Sequence, residues 1–283
     1  MKILIVGLGL IGGAYAYRLS NKGYEVYGCD VNIEAINYAK DNKFIVEGDI
    51  DPRIYIPNMD VIILGIYPQT ILEFLNKNND LFNENQLITD VCGVKTSFAK
   101  EAYLISKPAV YVSHHPMAGR EKIGILYSKE CVFEGANFLI TPINDNHSDK
   151  VDILKQLGND LGFSRISVMN INKHDRMIGF TSQLTHAIAV SLVNSDSDID
   201  TKLYIGDSYR DLTRIAMINE NLWSELFLEN RLYLLEHIEA FEQELSTLKM
   251  ALLRNDKETL VELFRSSTKI RKEMEKWESL ILI

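Results

Sequence analysis

Cysteine, proline, tryptophan and long apolar runs are all scarce in this chain of 283 residues. Its 3 cysteines, Cys29, Cys92 and Cys131, are scattered without metal-ligand spacing. Neither a metal site nor a disulfide framework is expected from them, and reduced thiols point to a cytoplasmic protein. No apolar stretch approaches a membrane span, and the first residues run directly into a strand pattern, so neither an anchor nor a secretory signal is expected. Positive charge is in deficit, 30 Lys+Arg against 39 Asp+Glu, for a formal net charge of −9. That balance argues against nucleic acid and anionic membranes as partners. An anionic small molecule would need a local cationic pocket. Internal repeats and low-complexity tracts are absent too, and no proline follows Asn170.

What is present starts at Gly7. The apolar run Ile3-Leu4-Ile5-Val6 leads into Gly7-Leu8-Gly9-Leu10-Ile11-Gly12-Gly13 and then Ala14, Ala16 and Leu19. This is the pattern of a buried strand, a tight glycine turn and a helix start. Gly7 suits the turn, Gly9 admits a close backbone approach to a pyrophosphate, and Gly12 lets helix and strand pack closely. The helix N-terminus, at Leu10 and Ile11, offers free N–H groups to phosphate. A second strand, Glu25 to Cys29, ends in Asp30, whose carboxylate suits ribose hydroxyls. Val31 and Asn32 follow with no arginine for a 2′-phosphate, which favours NAD over NADP.

Up to about residue 170 short β-rich runs alternate with helical spacing. Val61–Leu64, Leu87–Val91, Ala109–Ser113, Phe138–Thr141 and Ile166–Met169 read as strands, with helices over Ile71–Leu75, Ser97–Ile105 and Lys150–Leu161. The alternation predicts an α/β domain, a parallel sheet wrapped by helices. Beyond it, helix-period leucines and Glu/Lys pairs predict an all-α part, giving domains 1–170 and 171–283. Long helices are expected over Leu222–Leu252 and from Lys257 to about Trp277. Their apolar faces exceed what so small a domain can bury, which points to a homodimer.

Three groups of residues suit chemistry. The run His114-His115-Pro116 follows the strand Ala109–Ser113 in an expected loop at the carboxyl end of the sheet, where ligands bind. Side chains alternate along extended backbone, so one of the two histidines should face the crevice and serve as a base. Asp175, Gly179, Ser182 and His186 lie on one stripe of an otherwise apolar helix, a costly placement unless the stripe is used or satisfied. Arg210 and Arg214, four apart with Asp211 between, would let the aspartate pin one guanidinium and leave the other for a carboxylate.

Taken together these motifs resemble the prephenate/arogenate dehydrogenase family. The resemblance runs through GLGLIGG, then DVCGVK at Asp90–Lys95, HPMAGREKIG at His115–Gly124, HDRMIGFTSQLTHAIA at His174–Ala189, DLTRIA, and Trp223 after Arg214. It implies an N-terminal Rossmann doubly wound sheet and a C-terminal helical dimerisation domain. It also implies NAD as cofactor and oxidative decarboxylation of prephenate in tyrosine biosynthesis. By resemblance His115 is the catalytic base, with His114 its structural neighbour. His186 contacts substrate, Arg214 binds a substrate carboxylate, and Ser182 and Asp175 line or support the pocket. Part of the family has a serine where this chain has Gly93, so any hydrogen bond from that hydroxyl to substrate or nicotinamide would have to come from a backbone N–H or water. The family's frequent C-terminal regulatory domain has no counterpart here, and feedback by that route is not expected. Activity is expected to fall as pH drops through about 6.5, the ordinary histidine pKa. Arogenate as substrate, a lysine-dependent hydroxyacid dehydrogenase and a non-catalytic NAD(H)-sensing dimer are the alternatives; no lysine lies within Thr181–Ala189 to serve the second.

Overall fold

The computed structural model describes residues 1–118, 122–144 and 146–281, with side chains to residue 276. Two compact units divide the chain, Met1–Tyr233 and Leu234–Ile283.

In the first unit β1 (Lys2–Val6), α1 (Leu10–Asn21), β2 (Glu25–Cys29), α2 (Ile33–Asp41) and β3 (Glu47–Asp49) are followed by β4 (Val61–Leu64) and α3 (Pro68–Asn78). Next come β5 (Leu87–Asp90), α4 (Ala99–Ile105) and β6 (Val110–Tyr111). These strands form one parallel sheet in the order β3-β2-β1-β4-β5-β6. Ile3, Leu4 and Ile5 are fully buried because helices cover both faces, which is why β1 reads as a continuous apolar run rather than an alternation. Ile3, Ile5, Tyr15 and Leu19 pack on one face, and Leu4, Val6, Ile62 and Leu64 on the other. Val6 pairs with both Cys29 and Leu64, and Leu64 with Asp90. The carboxyl ends of β1, β2, β4 and β5 therefore finish level, and Gly7, Asp30, Gly65 and Val91 leave the sheet along one rim.

The expected strand Ala109–Ser113 is divided. Val110–Tyr111 closes the parallel sheet, and after Val112 the chain enters a second sheet as β7 (Ser113–Pro116). There β7 pairs antiparallel with β8 (Asn137–Thr141), and β8 pairs parallel with β9 (Arg165–Val168), which follows α5 (Ser148–Leu161). The sheet expected to be single and parallel is thus two, and His114 and His115 are strand residues, not loop residues.

The helical part opens with α6 (Ile171–Ile178), capped by Asn170, whose side chain accepts from Lys173 N. A π-helical turn over Gly179–Leu184 joins it to α7 (Thr185–Asn194). Then follow α8 (Asp207–Thr213), a 3₁₀ turn at Arg214–Ala216, α9 (Glu220–Glu229) and the start of α10 (Arg231–Leu253). The helix expected across Leu222–Leu252 is broken at Asn230, which is buried and donates through Nδ2 to Asp175 O (2.9 Å) and Gln183 Oε1 (2.7 Å).

The second unit holds the rest of α10 and α11 (Lys257–Ile281). Asp256 caps α11 by accepting from Thr259 N (3.0 Å) and Oγ1 (2.7 Å). Leu245, Leu252, Leu253, Phe264 and Ile270 are exposed along these helices.

Candidate active site

The glycine turn has the geometry its sequence demands. Gly7 has φ +92°, and a Cβ there would lie 2.4 Å from Gly65 O, so no side chain fits. A Cβ on Gly12 would fall 1.8 Å from Gly7 O, and helix and turn touch only because it is missing. A Cβ on Gly9, by contrast, meets nothing within 4 Å, so open space lies in front of the turn. No side chain caps α1 at Gly9, and no acidic residue sits in its first turn. The N–H end at Leu10 and Ile11 is therefore left to an anion. Asp30 Oδ2 accepts from Leu8 N at 2.6 Å and Oδ1 from Asn32 N at 2.8 Å, placing a half-buried carboxylate beside the turn. Leu8 itself turns its side chain into the core. These features fit a dinucleotide, and the carboxylate opposes a 2′-phosphate.

At the end of β5 lies a buried ion pair that the sequence reading overlooked. Asp90 and Lys95 are both fully buried, with Nζ 2.7 Å from Oδ1. Lys95 Nζ also donates to His114 O (2.8 Å), while Asp90 Oδ2 accepts from Tyr111 OH (2.5 Å) and from the Ser113 hydroxyl. Burial alone would raise the Asp90 pKa; the Lys95 ammonium and these donors hold it below the usual carboxylate range. The pair binds β5 to the point where the chain changes sheets.

β7 sends its histidines to opposite sides, as strand alternation requires. His114 is buried, with Nε2 3.0 Å from Tyr15 OH and Nδ1 2.6 Å from Thr89 Oγ1. Burial, then the charge of Lys95, pushes its pKa down to about 3, so it is a neutral structural group. His115 is half-buried, and its Nδ1 lies 3.0 Å from His174 Nε2. His174 Nδ1 in turn lies 2.7 Å from Asp175 Oδ1. Burial, reinforced by His174 and Lys95, lowers the His115 pKa well below its ordinary value, so the imidazole is neutral. His174 was not singled out from the sequence; its signal was a His-Asp pair in the first helix after the last strand.

Asp175 is closed off from solvent by its neighbours. It is fully buried and accepts from Lys95 N (2.9 Å), Thr96 N (2.6 Å) and Thr96 Oγ1 (2.5 Å) besides His174. Burial opposes its ionisation, but His174 and Thr96 keep its pKa below the usual range. The single stripe expected from Asp175 to His186 is also corrected. The π turn adds a residue between them, which rotates the residues beyond it by about 100° at the α-helical 3.6 residues per turn.

His186 is half-buried and donates from Nδ1 to Ser182 O at 2.9 Å. Its ring stacks on Trp223 with centroids 3.7 Å apart and planes at 29°. What the geometry shows of half-buried Ser182 is its carbonyl, which also accepts from Thr185 Oγ1. Gln183 Nε2 bonds Leu226 O (2.9 Å), and a Cβ on Gly93 would lie 3.6 Å from Leu226 and 3.8 Å from His115 Cε1. α9 thus spans the site, with Trp223 against His186, Leu226 beside Gly93, and Glu225 accepting from Gln69 N at the start of α3 (3.3 Å). Through Gly93, Leu226 and Trp223, His115 and His186 share one wall.

Arg214 is exposed, on the 3₁₀ turn that packs against α7, the helix of His186. Arg210 is exposed and paired with Asp207 at 3.0 Å. Asp207, not Asp211, is thus the carboxylate that holds it. Gly119, Arg120 and Glu121 of the HPMAGREKIG segment lie outside the described residues.

Two family models cover most of the chain. "Prephenate dehydrogenase, nucleotide-binding domain" matches residues 14–166 and "Prephenate dehydrogenase, dimerization domain" residues 170–266. The chain is similar to the crystal structure of A. aeolicus prephenate dehydrogenase in complex with hydroxyphenyl propionate and NAD+. That likeness has a TM-score of 0.87 and 31% identity over 97% of this chain and 98% of that one. A Lactococcus lactis prephenate dehydrogenase is 28% identical over 97% of this chain and 77% of its own length. Zymomonas mobilis cyclohexadienyl dehydrogenase is 26% identical over 95% and 94%. With the glycine turn, the histidine strand and the helical wall in one chain order and both family models matched in series, the chain belongs to the prephenate dehydrogenase family.

Proposed function

We propose that this chain catalyses the NAD-dependent oxidative decarboxylation of prephenate to 4-hydroxyphenylpyruvate, as a cytoplasmic homodimer. The observation that carries this reading is His115, a neutral imidazole beside the Gly93 loop, backed by a buried carboxylate–histidine pair and sharing a wall with His186.

The dinucleotide's pyrophosphate would lie on Gly7, Gly9 and the N-terminal turn at Leu10–Gly12, and its ribose on Asp30. Gly93 would border the nicotinamide. NAD held there supplies the hydride acceptor. His115 takes the proton of the ring alcohol as hydride leaves the same carbon. The bond from the ring to its carboxylate then breaks, CO2 departs, and the electron pair makes the ring aromatic with its charge on the former alcohol oxygen. His115 returns the proton to that oxygen, so the base ends the cycle neutral. Aromatisation makes the sequence downhill, and the protein's task is to position groups and manage charge. Arg214 would hold a substrate carboxylate and His186 the polar side chain, with Ser182 framing His186. Arg210 is assigned a place at the edge of this pocket. We set the functional boundary at residue 170, with 1–170 serving the nucleotide and 171–283 the substrate and the dimer. The exposed apolar residues of α10 and α11 support pairing with a second copy.

The test is NADH absorbance on mixing purified protein, NAD and prephenate, with arogenate in a parallel assay. Turnover of prephenate is expected. Turnover of arogenate alone would transfer the assignment to that substrate, and no NADH with either would overturn the reading.

A further inference from the structure

We infer that His174 is a positioning residue for the reaction, fixing the proton of His115 on Nδ1 so that Nε2 is left bare as the base. This rests on His115 being the base in the proposed function.

The protons are ordered from Asp175 outward. As a carboxylate it only accepts hydrogen bonds, and it already accepts from Lys95 N, Thr96 N and Thr96 Oγ1. The 2.7 Å contact to His174 Nδ1 therefore carries its hydrogen on the imidazole. A neutral His174 has one N–H, and it is spent on Asp175, so Nε2 presents a lone pair. Facing that lone pair at 3.0 Å is His115 Nδ1, which must be the donor. The remaining nitrogen of His115, Nε2, then has no proton and is free to accept one from the substrate alcohol. Isolated imidazole side chains in water prefer the opposite form, with the proton on Nε2. The pair His174–Asp175 thus selects the less common tautomer.

His174 is fully buried, so water does not compete for this contact. The surrounding groups leave it the assigned role. Lys95, the nearest buried cation, spends its ammonium on Asp90 and His114 O. His114 faces Tyr15 and Thr89 on the other side of β7. Gly93 brings no side-chain hydroxyl to His115, and among the described residues the polar contact of His115 Nδ1 is the one to His174.

Two substitutions separate the two ends of the His174 ring. His174→Asn keeps a polar group where Nδ1 meets Asp175 and removes the acceptor facing His115. His174→Gln reaches the position of Nε2 and restores that acceptor. The expected result is a fall in kcat of about 100-fold or more in His174→Asn, the scale of losing a correctly oriented base. KM for prephenate and for NAD should stay within about threefold, and most of kcat should return in His174→Gln. Equal kcat in the wild type and His174→Asn would overturn the inference, as would equal losses in the two variants when both bind NAD and melt like the wild type. The imidazole carbon and nitrogen NMR shifts of His115 give a reading independent of turnover. The wild type should show Nδ1–H, and His174→Asn a shift toward Nε2–H. A wild-type His115 protonated on Nε2 would also overturn it. Failure of the wild type to oxidise prephenate, with the Nδ1–H signature intact, would instead count against the proposed function alone.

Discussion

His115 is held by its neighbours more firmly than a loop histidine would be, and this changes what pH should do to it. A base works only while neutral, and burial lowers its pKa well below the ordinary value, with His174 and Lys95 adding to the effect. The acid limb of kcat/KM should therefore lie below pH 6.5, not at it. His115→Asn should cut kcat by about 10² to 10⁴-fold and abolish that limb. Near-wild-type turnover in the variant, or a limb at the ordinary histidine value in the wild type, would remove His115 from its role. Gly7, Gly12 and Asp30 were legible in sequence because their constraints are local, a turn and a carboxylate at one strand end. His174 was not, because its partner is 59 positions away and only the fold makes them neighbours. Lys95 escaped for a similar reason. A lysine in a polar loop reads as solvated, and nothing in its neighbours announces that Asp90 meets it in the dry interior.

Among the elements, the π turn at Gly179–Leu184 separates what a helical-wheel reading had joined. Its extra residue sets Asp175 toward the loop after β5 and lets His186 face Trp223. Deleting one residue within the turn, Thr181 for example, should restore an ordinary α-helix and rotate His186 by about 100° relative to Asp175. Helical content by circular dichroism should persist while kcat/KM collapses. Retained activity would show that the bulge does not set the site. The second sheet was hidden from sequence for a comparable reason. The apolar run Ala109–Ser113 was visible, but its division after Val112 depends on pairing Ser113 with Thr141, a register that no short window contains.

For the whole molecule, acid should be more damaging than the −9 charge suggests. His114, His115 and His174 all have lowered pKa values, His114 to about 3, with burial the first cause in each case. Below about pH 6.5 the unfolded chain binds protons at these sites that the folded chain refuses. Stability should therefore fall as pH drops through that range, by up to about 1.4 kcal/mol per pH unit for each histidine involved. Asp90 and Asp175, also lowered, keep their contribution until pH approaches the ordinary carboxylate range and lose it below. Thermal melts between about pH 7 and 4 test this, and a flat melting temperature from about 6.5 to 5 would refute it. Light scattering should give twice the 32.3 kDa chain mass, and a monomer at micromolar concentration would refute the proposed pairing of α10 and α11. The α/β half was readable from its alternating periods, whereas where the long helices break was not, since Asn230 interrupts them to satisfy Asp175 and Gln183.

α9 leans on His186 with Trp223, covers Gly93 with Leu226 and meets the start of α3 with Glu225. A small tilt of this one rod would shift the surroundings of His186, Gly93 and the start of α3 together. Specificity in this chain is thus not a dial that turns by itself. With the proposed pocket, a change of substrate side chain is expected to call for coordinated changes along α9 rather than a single one.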